Sequence, residues 1–90
     1  MPYLEWDDRK RLSNLEKHRL DFDDAYQIFG TEFLKLPARP SGDELRFRAI
    51  GHVRENLVTV IDTERGDAIR IISMRKARTD ERRLHQALFD

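Results

Sequence analysis

The sequence predicts an α+β fold, with two N-terminal helices and a C-terminal helix packed on one face of an antiparallel β-sheet. Three observations point there. Apolar residues of the first third recur at helical spacing, the stretch from Leu45 to Met74 breaks into three strand-like runs with short polar connections, and the last dozen residues return to helical spacing behind a capping signal.

Tyr3-Leu4-Glu5-Trp6 alternates enough for a short strand. Asp7 is a good N-cap for a helix over roughly 8–18, with Leu12 and Leu15 among its apolar positions. A second helix begins near Asp21, because Phe22, Ala25, Ile28 and Phe29 fall at helical spacing and Gly30 supplies a stop; the two helices should form a hairpin. Phe33 to Leu36 reads as a brief strand, and Pro37 to Asp43 as a loop, on account of its two prolines and its glycine. Leu45–Val53, Leu57–Asp62 and Ala68–Met74 then form an antiparallel meander. Thr79 is the N-cap expected for the closing helix, with Asp80 and Glu81 in its first turn and Leu84 and Leu88 on one stripe.

Ninety residues suffice for one domain and exclude a second independent unit. Without cysteine the chain has neither a disulfide framework nor a thiolate metal site. No stretch approaches membrane-spanning length and no apolar signal region precedes Asp7, so a cytoplasmic location with no membrane association is expected. The net charge of zero hides an asymmetry: residues 1–44 hold 7 Lys+Arg against 10 Asp+Glu, and residues 45–90 hold 10 against 7. Any polyanion site must therefore be a local patch, since bulk charge supplies none.

Alternation along the third strand segregates Arg46 and Arg48 from Leu45, Phe47 and Ala49. In the last strand Arg70, Ile72 and Met74 alternate with Ile71, Ser73 and Arg75, and the cross-strand register stays open. Arginines on a strand face are first of all a solvated sheet surface. The sharper reading is an anion-binding surface. Lys10, Asn14 and Lys17 share a stripe of the first helix with His18 close by, again a wet face unless something gathers on it. Glu64, in a turn, reads as a solubilising residue before it reads as a catalytic acid. His18, His52 and His85 lack zinc-ligand spacing but remain candidate proton carriers. Asp21, Asp23 and Glu32 match positions of a calcium loop, yet Tyr26 occupies the place that needs glycine, so neither metal nor other cofactor is expected.

Read together, several segments resemble the BrnT family of toxins from type II toxin–antitoxin systems. They are Glu5-Trp6-Asp7, Asn14 with Lys17-His18, Phe22-Asp23-Asp24-Ala25, Leu45-Arg46 followed by Ile50-Gly51, Thr63-Glu64-Arg65-Gly66, and Arg70-Ile71-Ile72-Ser73-Met74-Arg75-Lys76-Ala77 followed by Glu81-Arg82. The resemblance spans nearly the whole chain. It implies a RelE-like α+β fold, endoribonuclease activity that arrests growth, a BrnA-type antitoxin that wraps the toxin in a heterotetramer, and contact with operator DNA only through that antitoxin. Two positions depart from the family pattern: Arg19 stands where glycine often follows Lys-His, and His85 aligns near a frequent tyrosine.

Metal-independent RNA cleavage uses the adjacent 2′-hydroxyl as nucleophile, so the protein must stabilise charge on the phosphate oxygens and move two protons. The planar, permanently charged guanidinium suits the first task, which nominates Arg46, Arg70 and Arg75 as clamps, with Lys17, Arg48 and Lys76 binding the RNA backbone. His18, Glu64 and His85 compete as proton carriers. The competing class is a non-catalytic protein-binding module or transcriptional co-regulator, such as an inactive toxin relic.

Overall fold

The computed structural model describes residues 3–90. The elements run β1 (Tyr3–Trp6), α1 (Asp8–His18), a 3-10 turn (Phe22–Ala25), α2 (Tyr26–Phe29), β2 (Leu34–Ser41), β3 (Glu44–Val53), β4 (Asn56–Arg65), β5 (Ala68–Lys76) and α3 (Thr79–Phe89). The five strands lie in the order β1-β5-β4-β3-β2. No described helix is long and apolar enough to cross a membrane.

The α+β class holds, with corrections of detail. The sheet is mixed, because β1 pairs parallel with β5, Leu4 opposite Ile69 and Trp6 opposite Ile71, while the other pairings are antiparallel. A four-residue strand carries no mark of its partner, which lies more than sixty positions away. Pro37–Ser41 is strand, not loop: β2 is the sheet edge, where a proline's missing N–H breaks no inner ladder bond. The register slips between Ala38 and Ser41, so the turn chemistry is confined to Gly42-Asp43. The predicted second helix is broken into a 3-10 turn and one α-helical turn, although Asp21 caps it as expected, accepting from the Asp23 N–H at 3.1 Å.

The helices also cover both faces of the sheet, whereas one covered face was expected. Leu20, Phe22, Ala25 and Ile28 pack with Val58, Val60, Ile71 and Met74 on one face, and Ile50, Leu57 and Ala77 form a second core with Leu34 and Leu36 on the other. The central strands β3 and β4 are therefore enclosed on both sides along much of their length, as strands between two layers must be. Gly51 lets α2 approach: a Cβ there would lie 3.0 Å from Ile28 Cγ2 and 3.3 Å from Phe33 Cβ.

Helix ends follow local chemistry. Asp7 accepts from the N–H groups of Arg9 (2.8 Å) and Lys10 (3.3 Å) and starts α1 as predicted. The helix stops at Arg19, whose φ of 59° is left-handed and whose N–H returns to the Leu15 carbonyl at 2.9 Å. That geometry explains the glycine usual after Lys-His, since a Cβ is disfavoured there. At α3 the N-cap is Arg78 rather than Thr79, because the Glu81 carboxylate reaches back to the Arg78 N–H at 2.9 Å.

Arg19→Gly should relieve the left-handed strain, worth about 1–2 kcal/mol, at the cost of about 0.5–1 kcal/mol of extra chain entropy. A small net rise in the urea midpoint is expected, and a lower midpoint would contradict this account of the turn.

Candidate functional site

Cross-strand register decides which arginines share a face. Arg48 lies opposite Ile61, Ile50 opposite Thr59, Thr59 opposite Arg75, and Thr63 opposite Arg70. Alternation then puts Arg46, Arg48, Arg70 and Arg75 on the same side of the sheet. Arg70 and Arg75 are an odd number of residues apart and would point oppositely on a regular strand. The register slips where Ile61 faces Ser73 and Asp62 faces Ile71, leaving Ile72 as an extra residue that restores the shared face.

On that face Arg46, Arg48, Arg70 and Arg75 each have a carboxylate neighbour. Arg75 grips Glu81 with both ends of its fork, at 2.7 and 2.9 Å, and Arg48 adds a contact at 3.1 Å. Thr59 donates its hydroxyl to the same carboxylate at 2.9 Å. Glu81 is 0% exposed. Burial alone would raise its pKa, but Arg75, the Arg78 N–H, Thr59 and Arg48 outweigh it and hold the carboxyl well below the usual range. Arg46 lies 3.0 Å from Glu44, and Arg70 sits 3.9 Å from Glu5. Arg70 also lies near the start of α1, where the N–H groups of Arg9 and Lys10 first, and its own charge in addition, depress the Asp7 carboxyl.

Other predicted site residues fall elsewhere. Glu64 lies opposite Ile69 on the reverse face, bound to Lys35 at 2.6 Å, while the Lys35 ammonium stands 4.3 Å from the Phe47 ring centroid. Asp62 is buried on the same reverse side, and desolvation pushes its carboxyl up to about 7 against the smaller opposing pull of Lys35. Lys76 is opposite Val58, exposed at the end of β5. His85 is buried under α3 against His52, ring centroids 5.4 Å apart, and Phe89 at 4.6 Å; burial, then His52, lowers its pKa.

His18 and Lys17 belong to a different assembly. β1 covers only the first half of β5, and α1 lies along the remaining edge. Asn14 ties the two together: its Oδ1 accepts from the Met74 N–H at 3.0 Å and its Nδ2 donates to the Leu20 carbonyl at 3.2 Å. Beside this strut a cleft of about 260 Å³ opens, lined by Lys10, Ser13, Lys17 and His18 from α1 and by Ile72 and Ser73 from β5. None of its lining residues is acidic. Comparable clefts elsewhere carry Glu44 and Glu64, Glu55 and Asp90, or Glu32 and Asp90. Among the described residues, neither Lys10 nor Lys17 has a carboxylate within salt-bridge distance. Ser73 joins the cleft to the arginine face, standing two positions before Arg75.

Sequence reasoning saw the Lys10–Asn14–Lys17 stripe but had no reason to lift it above a solvated surface, and it missed Ser13 and Ser73. The available signal was Asn14, an amide in the middle of a helix whose leucines turn out to face away. Among the described residues no three His, Cys, Asp or Glu side chains gather closely enough to hold a metal ion.

Comparison with known proteins shows the family. A family model described as "Ribonuclease toxin, BrnT, of type II toxin-antitoxin system" matches residues 6–81. The crystal structure of the Brucella abortus ribonuclease toxin, BrnT, is similar with a TM-score of 0.67 and 32% identity, covering 88% of this chain and 100% of that one. No curated protein matches the chain.

Two stability measurements test the electrostatics. Glu81→Ala leaves two partly buried guanidiniums without their counter-ion and should destabilise the chain by about 3–5 kcal/mol in urea unfolding; a loss under 1 kcal/mol would show the network to be dispensable. The Asp62 carboxyl has a folded pKa of about 7 against an ordinary 3.8. The native state therefore binds the extra proton, and its stabilising effect, complete below pH 4, is lost as pH rises through 7. Asp62→Asn should remove this slope, worth at most ~4 kcal/mol, and gain most at pH 8; an identical pH profile for variant and wild type would refute the assignment.

Proposed function

We propose, from the premise that this chain belongs to the BrnT family of ribonuclease toxins of type II toxin–antitoxin systems, that it is a metal-independent endoribonuclease whose RNA phosphate binds in the cleft between α1 and β5. The observation carrying the proposal is charge accessibility: Arg46, Arg48 and Arg75 are engaged by Glu44 and Glu81 on their own face, while the α1–β5 cleft is cationic and has no acidic residue in its lining. A phosphodiester is drawn to the latter.

In this reading Lys10 and Lys17 hold the RNA backbone, and Arg70, near the start of α1, completes the clamp on the phosphate oxygens as negative charge grows on them. The 2′-hydroxyl attacks phosphorus in line with the departing 5′-oxygen. His18 is the favoured proton carrier, because it lines the cleft and its ring nitrogens can both take and give a proton. Glu64 and His85, held by Lys35 and packed on His52, are less suited to the role. Arg75, locked to Glu81, positions the strand end that carries Ser73, and Arg46, Arg48 and Lys76 serve as outlying contacts for the RNA chain. Family membership implies an antitoxin partner. We take it to be of BrnA type, assembling with the toxin as a heterotetramer that reaches operator DNA only through the antitoxin, on a toxin framework that is RelE-like.

Purified protein should cleave single-stranded RNA in the presence of chelator and leave cyclic 2′,3′-phosphate ends. Lys17→Ala, His18→Ala and Arg70→Ala should each lower the rate by ~10²–10³ with the fold intact by circular dichroism. Cleavage that vanishes in chelator would overturn the metal-free mechanism, and no cleavage of structured or single-stranded RNA under any condition would favour the non-catalytic binding module.

A further inference from the structure

Arg70 differs from the other three arginines of its face. Arg46, Arg48 and Arg75 each close onto a carboxylate at hydrogen-bond distance, whereas among the described residues the Arg70 guanidinium donates no hydrogen bond and stands 3.9 Å from Glu5. That separation is too long for a hydrogen bond, and the Glu5 carboxylate accepts none from any other described residue. Asp7, the other carboxylate near Arg70, is already engaged by the N–H groups of Arg9 and Lys10 at the head of α1. Glu5 is thus the uncommitted acceptor beside the uncommitted guanidinium.

Both side chains are within reach of a ligand and both are firmly carried. Arg70 is 27% and Glu5 32% exposed. They lie directly opposite each other in the parallel β1–β5 ladder, and their buried neighbours Leu4 and Ile71 anchor the two strands in the core. A donor fork and an acceptor carboxylate therefore stand side by side on one rigid sheet surface.

We propose that Glu5 is the general base of the cleavage, taking the proton of the 2′-hydroxyl while Arg70 holds the phosphate oxygens; this rests on the nuclease reading above and assigns the second of the two proton transfers. In-line attack needs the 2′-oxygen about 3–3.5 Å from phosphorus, beside the non-bridging oxygens. The fork takes those oxygens and the carboxylate takes the hydroxyl next to them. The O2′–H bond breaks toward a Glu5 oxygen, the O2′–P bond forms, and the P–O5′ bond breaks with its electron pair on O5′, which takes a proton from the His18 imidazolium. A cyclic 2′,3′-phosphate and a 5′-hydroxyl leave. Water then returns a proton to His18 and removes the one on Glu5.

The test uses the full chain, ordinary RNA, and an oligonucleotide whose scissile 5′-oxygen is replaced by sulfur, a leaving group that departs without a proton. Glu5→Gln keeps the size of the side chain and should slow cleavage of ordinary RNA by ~10²–10³, with KM and the urea midpoint unchanged. On the sulfur substrate His18→Ala should regain most of its lost rate, whereas Glu5→Gln should stay slow, its rate rising in proportion to hydroxide as hydroxide replaces the missing base. Cleavage by Glu5→Gln at the wild-type rate overturns the proposal and leaves the nuclease reading standing. A slow variant that sulfur restores also overturns it, by moving Glu5 to the leaving group, as does one whose pH dependence matches wild type, which reduces Glu5 to a brace for Arg70. Wild-type protein that cleaves neither substrate overturns both the base and the nuclease reading.

Discussion

The Glu81 carboxylate, fully buried and held by Arg75, Arg48, Thr59 and the Arg78 N–H, is the interaction on which the arrangement of the second face depends. It starts α3 and fastens that helix to the sheet in one act. A buried charge is tolerated only when its partners satisfy it from several directions, and here β3, β4, β5 and the α3 N-terminus each contribute one. The helix is otherwise weakly amphipathic toward the sheet: Leu84 and Leu88 are exposed, and Glu81 and His85 are the residues it buries.

That network has a consequence for function, because it consumes cations. Arg48 and Arg75 are both engaged by Glu81, and Glu44 and Glu5 lie beside Arg46 and Arg70. A surface whose guanidiniums look free in sequence has most of them engaged in space. The charge left for a polyanion sits at the α1–β5 cleft, where Lys10 and Lys17 meet the β5 edge and no lining residue is acidic. Asn14 maintains that cleft by occupying a strand N–H that β1 is too short to pair.

The reverse face shows the same economy with the opposite sign. Lys35 and Glu64 satisfy each other at the surface, whereas Asp62 beneath them is buried with no paired cation and answers desolvation by holding its proton to a higher pH. Glu64, plausible as a catalytic acid when only its turn was visible, is thus separated from the arginines by the thickness of the sheet.

Length, composition and hydrophobic period determined the class, the sequence limits of most elements, the caps at Asp7 and Asp21, and membership in a recognisable family through the run from Arg70 to Ala77. These are legible because each depends on residues close together in the chain. Tertiary structure alone decided what depends on distant partners: the parallel seat of β1, the edge position that lets Pro37 lie in a strand, and the two-sided covering of β3 and β4. It also decided which cations matter. One extra residue at Ile72 turns Arg70 and Arg75 to a common face, and one carboxylate from α3 then engages both Arg75 and Arg48, two outcomes set by cross-strand register and by a contact between residues far apart in sequence, which no local pattern of side chains encodes.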